Sequence, residues 1–128
     1  MILFCLILIQ FLPLIWARKP VVSPFASKFT VEQNEIFRLT CSIVQGTKPI
    51  EFQWFKNGSK LKSHTNSLIE TKPLSSILSF ESVTIIHSGN YSCHATNSDG
   101  NDQTFTVLQV KGLFVLLKLN LFFYRFCP

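Results

Sequence analysis

The stretch His87-Ser88-Gly89-Asn90-Tyr91-Ser92-Cys93-His94-Ala95-Thr96-Asn97 decides how the rest of the chain is read. Tyr91, Cys93 and Ala95 fall on one side of an alternating run, with Asn90, Ser92 and His94 on the other. Side chains of a β-strand point to opposite faces in turn, so a period of two marks a half-buried strand. Gly89, two places before the tyrosine, supplies the tight turn that leads into it.

The same period recurs on either side. In Ile36–Val44, Phe37, Leu39, Cys41 and Ile43 face one way, and Arg38, Thr40 and Ser42 the other. Ile50, Phe52 and Trp54 share a face in the run that ends at Asn57-Gly58, the strongest short hairpin signal. Residues 66–71 and 76–81 are two further strand candidates, parted by Lys72-Pro73. Thr104–Val110 closes the series after the Ser98-Asp99-Gly100 turn. Near the start, Pro20 and Pro24 forbid a helix interior and suit an extended edge strand, followed by the alternating run Phe29–Gln33. Turn signals every eight to twelve residues, with no helical period between 20 and 110, predict an all-β, two-sheet sandwich.

The two ends differ from this middle. Residues 1–17 hold an apolar run broken by Gln10 and Pro13, too short for a membrane span of about 20 residues and suited to a signal-peptide core. Ala17 gives a small residue before a cleavage point. No basic residue precedes the run, however, and Ile15 is bulky for its place, so a buried strand or an uncleaved anchor stays open. Residues 112–128 form a second apolar stretch. As a helix, 113–126 would be about 21 Å long against a hydrocarbon core of about 30 Å. Lys118 and Asn120 would sit near its middle, which makes it a poor span. A surface or partner-docking segment, or sequence foreign to the domain such as translated intron, are the other readings.

The net charge of +5 comes largely from these ends. Within 20–111, eight basic residues face seven acids, with the lysines scattered along the chain. That pattern lacks the dense basic footprint of a nucleic-acid binder.

Behind a signal peptide, cysteines can pair. Cys5 would leave with the signal and Cys127 stands next to last. In a sandwich, Cys41 and Cys93 would face each other across the core, with Trp54 packed on their bridge and Tyr91 at the corner entering the later strand. Asn57-Gly58-Ser59 and Asn90-Tyr91-Ser92 are glycosylation sequons in turns or at strand edges.

Taken together, Leu39-Thr40-Cys41, Trp54-Phe55-Lys56, Leu78-Ser79-Phe80, Ser88 to Cys93 and Ala95 to Gly100 resemble an immunoglobulin domain of the intermediate set. The resemblance covers about 20–110 and gives Leu39, Leu78, Trp54 and Tyr91 as core. The opening Pro20–Phe25 and the run Val44–Gly58 look most like domains of arthropod Down syndrome cell adhesion molecules. That likeness implies extracellular recognition, with another protein as partner, including homophilic contact between such domains. One residue departs from the family pattern. His87 stands where most members have an Asp paired with a basic residue. Three readings follow: a corner held by Tyr91 and backbone bonds alone, a pH-sensitive corner, since histidine titrates near pH 6.5, or an error or relaxed constraint in a decaying copy.

No catalytic chemistry is evident. His64, His87 and His94 have no nucleophile with an orienting acid, no metal-ligand spacing is present, and no cofactor is expected. Phe55, between Trp54 and Lys56, should point away from the core. It is either covered by a neighbouring strand or free as a contact residue. The loops 45–49 and 97–101 are further contact candidates. The expectation is a non-catalytic module on a cell surface, an adhesion-receptor fragment or short form; the alternative is a soluble, secreted immune-recognition protein.

Overall fold

A computed structural model describes residues 16–112. Most of the expected signal segment, the apolar tail, Cys5 and Cys127 lie outside the described residues. Nine strands follow in order: β1 Val21–Val22, β2 Lys28–Glu32, β3 Phe37–Gln45, β4 Glu51–Lys56, β5 Ser59–Lys60, β6 Leu68–Lys72, β7 Ser75–Phe80, β8 Gly89–Asn97 and β9 Gly100–Lys111. One sheet has the order β1-β3-β7-β6, the other β2-β9-β8-β4-β5. The fold is thus the two-sheet, all-β sandwich that the alternation predicts. The described helical structure is one 3-10 turn, Ile85–His87, just ahead of β8.

Local chemistry sets the hairpins. Asn57 and Gly58 have φ of 49° and 80° and join β4 to β5 in register Lys56↔Ser59. Two successive left-handed residues make the primed turn whose twist matches that of the flanking strands. Pro73-Leu74 forms the next two-residue connection, between Lys72 and Ser75. The candidate strands 66–71 and 76–81 therefore shift to 68–72 and 75–80.

The N-terminal segment, expected as an edge strand followed by an alternating run, is divided between the two sheets. β1 pairs with β3 in one sheet, while β2 runs parallel to β9 in the other. Pro24 lies at the crossing, where it removes a backbone donor that neither sheet could use. Side chains of β9 hold the crossing. Thr104 Oγ1 accepts from Phe25 N–H at 2.8 Å, Thr106 Oγ1 donates to Ala26 O at 2.8 Å, and Asp102 accepts from Val22 N–H at 2.8 Å.

The core lies between the sheets. Leu39, Leu78, Trp54, Tyr91 and both domain cysteines are buried there. The sulfurs of Cys41 and Cys93 are 2.06 Å apart, in a bridge between β3 and β8. Closing a loop of 52 residues contributes about 4 kcal/mol by chain-entropy reasoning. Trp54 is 1% exposed, and its indole N–H donates to Ser76 Oγ at 2.9 Å. Phe25 stacks on its ring at 6.0 Å. Among the described residues, no buried side-chain polar atom lacks a partner, as a close-packed interior requires.

Candidate recognition face

The outer face of the five-stranded sheet is built by three cross-strand rows. Register places Phe55 beside Ser92 and Ser92 beside Phe105. The next row is Gln53, His94 and Gln103, and on the other side Asn90 pairs with Val107. Since Tyr91, Cys93 and Ala95 are buried, their neighbours on β8 must point out to this face.

The face carries apolar residues that burial in the sandwich would ordinarily claim. Phe105 is 60% and Val107 41% exposed, while Thr104 and Thr106 beside them are buried. The cause is register. Leu108 and Val110 fill the core, and counting back by two puts Thr106 and Thr104 inward. Their hydroxyls are satisfied by the β1–β2 crossing, so burial is tolerable. Reading Thr104–Val107 from composition alone hides this inversion; counting from Leu108 and Val110 exposes it.

Phe55 is half-buried. Its ring lies 4.5 Å from that of His94 on the neighbouring strand, with a 37° tilt. His94 is accordingly a packing partner, with its Nε2 3.3 Å from Ser92 Oγ, and not the solvated residue its outward position implies. These residues border a shallow depression of about 400 Å³, which includes Phe105 and no Lys, Arg, Asp or Glu side chain. Uncharged, aromatic centres are the compositional mark of protein–protein contact.

The two sequons, set apart in sequence, meet at the end of this face. Asn57 N–H donates to Asn90 O, and Asn90 N–H donates to Asn57 Oδ1, both at 2.8 Å. A Cβ at Gly89 would lie 2.9 Å from Asn57 Oδ1, so the glycine makes room for the approach. Both asparagines are exposed. At the opposite end, loops 45–49 and 97–101 are brought together. Asn97 donates to Arg18 O at 2.7 Å and to Thr47 O at 2.9 Å.

The corner before β8 holds His87. Thr84 N–H donates to its Nδ1 at 2.8 Å, and His87 N–H returns a bond to Thr84 O at 2.9 Å, forming a reciprocal cap. An N–H can only donate, so Nδ1 keeps its lone pair and the neutral ring carries its proton on Nε2. Tyr91 Oη donates to His87 O at 2.6 Å, and Lys56 Nζ donates to Ile86 O. Burial, then the Lys56 charge, hold the His87 pKa below its ordinary value. Burial pushes the Tyr91 hydroxyl up to about 12. Where an acid would pair with a base, this corner therefore uses a neutral imidazole as acceptor and a backbone carbonyl for the lysine.

Among the described residues, no group of three or more His, Cys, Asp or Glu could hold a metal ion. No described helix is long and apolar enough to cross a membrane.

The family model of the immunoglobulin domain matches residues 19–97. Human cell adhesion molecule DSCAML1 is 32% identical over 79 residues, covering 62% of this chain and 4% of that protein. Rat junctional adhesion molecule A is 36% identical over 90 residues, covering 64% of this chain and 29% of its own length. The chain thus spans a small part of these relatives. The solved immunoglobulin domain 7 of Dscam1, isoform 5, superposes with a TM-score of 0.68 at 26% identity, covering 73% of this chain and 97% of that one.

Proposed function

Because the chain belongs to the immunoglobulin superfamily, a non-catalytic class of domain, we propose that it is an extracellular adhesion module that binds a second copy of itself. The contact is the outer face of β4, β8 and β9, centred on Phe55 and Phe105. The observation that carries this reading is the outward Phe105–Val107 pair beside the Phe55–His94 contact, with no Lys, Arg, Asp or Glu bordering their depression. A depression lined without Lys, Arg, Asp or Glu meets its own copy with little like-charge repulsion, which a strongly charged centre could not do. The adhesion molecules to which the chain is similar support the extracellular setting. Residues 1–17 then serve as the signal for entry to the secretory path, and Asn57 and Asn90 as glycan acceptors at the rim.

The test is self-association of the full chain by sedimentation equilibrium and by aggregation of coated beads. Phe105→Asp places a charge at the centre of the face without touching the core, and should abolish both. Native-like association in that variant would refute the assignment of the face. A monomeric native chain at high concentration would refute the homophilic reading.

A further inference from the structure

The lysines that lie scattered in sequence are gathered by the fold. Lys56 ends β4, Lys60 ends β5, Lys62 follows it, and all three line one groove with His64 and His87. The groove has a volume of about 350 Å³ and no carboxylate in its lining. Within 20–111, setting these three lysines aside leaves five basic residues against seven acids. A nearly neutral domain therefore collects its excess positive charge at one place. Concave clusters of one sign focus the field and raise the local concentration of counter-charged ligand.

Two of the groups, Lys56 and His87, are also fixed in position. Lys56 Nζ is held by the Ile86 carbonyl, a dipole that orients the ammonium without neutralising it. Its stem crosses the Tyr91 ring, with Nζ 5.9 Å from the centroid. His87 packs on Phe80 at 4.8 Å, and the Thr84 bond to Nδ1 leaves Nε2–H as the ring's donor. Ser59, Asn66 and Ser67 add uncharged donors and acceptors along the same lining. Residues 60–67 reach the groove through backbone ties: Leu61 N–H donates to Trp54 O at 2.8 Å, and His64 N–H to Ser67 O at 2.9 Å.

We propose that this groove, formed by Lys56, Lys60, Lys62, His64 and His87, is a binding site for a sulfated oligosaccharide. Ammonium point charges meet the sulfates, while Ser59, Asn66 and Ser67 meet sugar hydroxyls. The groove is open along one side, which admits a chain rather than a single enclosed ion. Single-stranded nucleic acid fits less well, because its binding sites stack bases on exposed aromatic rings. The two rings of the floor, Phe80 and Tyr91, are 2% and 1% exposed. The groove adjoins the proposed self-association face, since Tyr91 lines both depressions and Lys60 pairs with Phe55, but saccharide binding does not require self-association.

The experiment is titration of the full chain with a size-defined heparin hexasaccharide at low salt, repeated over a salt series. Histidine ring resonances are followed by NMR. Three lysine contacts predict a fall in log affinity against log salt with a slope of roughly −2 to −3, with shifts at His64 and His87. Lys60→Gln/Lys62→Gln, which leaves the Lys56 contact intact, should weaken binding at least about tenfold. Lys28→Gln/Lys48→Gln, two exposed lysines outside the groove, should change it less than about threefold. Equal losses in the two variants would overturn the proposal, as would unmoved His64 and His87 resonances. A DNA hexanucleotide binding as tightly would overturn the saccharide assignment. So would inorganic sulfate competing at the same concentration as the hexasaccharide.

Discussion

Replacing Ser76 by alanine removes one oxygen from the molecule's centre. Ser76 is 0% exposed and Trp54 1%, so no water can replace the acceptor that the indole N–H loses at 2.9 Å. Thr71 Oγ1 bonds Ser76 Oγ at 3.0 Å; it lies at the sheet edge and keeps access to solvent, so its loss adds little. An unsatisfied buried donor costs about 1–3 kcal/mol. For a domain of this size, about 2 kcal/mol lowers the Tm by roughly 8–16 °C. Urea unfolding followed by far-UV circular dichroism should show a lower midpoint with an unchanged m-value. The background matters as much as the size. In a Trp54→Phe chain the donor is already gone, so Ser76→Ala should cost far less there. The double-mutant cycle should return a coupling of about 1–2 kcal/mol. A cost below about 0.5 kcal/mol in the native background, or strict additivity in the cycle, would refute the reasoning.

Changing Cys41 and Cys93 together to alanine should remove about 4 kcal/mol, a large share of a typical domain's stability; a Tm within a few degrees of native would contradict it. Gly58→Ala meets no atom within 4 Å, so its cost is purely that of φ at +80°, about 1–2 kcal/mol, readable in the urea midpoint. His87 has a lowered folded pKa, so between that value and about 6.5 the unfolded chain binds more protons and stability rises with pH. Unfolding between pH 5 and 8 should show the native protein losing stability on acidification, relative to His87→Gln, whose amide can accept the Thr84 bond without titrating; parallel profiles would remove the pH-sensitive corner.

Much of the sandwich was legible because its signals are local. Phe37 to Ile43 alternate cleanly, Asn57-Gly58 writes its own turn, and Leu39, Trp54, Leu78 and Tyr91 lie on the apolar side of their strands. What escaped was non-local. Ser76 reads as one serine among several until Trp54, 22 residues away, supplies its donor. Thr104 and Thr106 look like outward residues because the carbonyl and N–H that satisfy them lie some 80 residues earlier. The groove has the same origin. Lys56 and His87 are 31 positions apart, and only the register of β4 on β8 brings the two together. Composition reports how many charges a chain carries, whereas strand pairing decides whether they meet. Phe55 was legible as outward, with cover by a neighbouring strand as one of its two readings; that the cover is His94 was not, since it reaches Phe55 from another strand.

The parallel pairing of β2 with β9 has a bearing on how the domain carries load. The two strands pair at five positions, from Lys28↔Val107 to Glu32↔Lys111. Tension applied to the chain before β2 and after β9 pulls these parallel strands in opposite directions along their own length. All five pairs are then strained at once, in shear, and none can yield before its neighbours. The antiparallel hairpin of β8 and β9 pulled at its two free ends would instead open one pair at a time. A module linking two surfaces that move apart would be held by that strand pair.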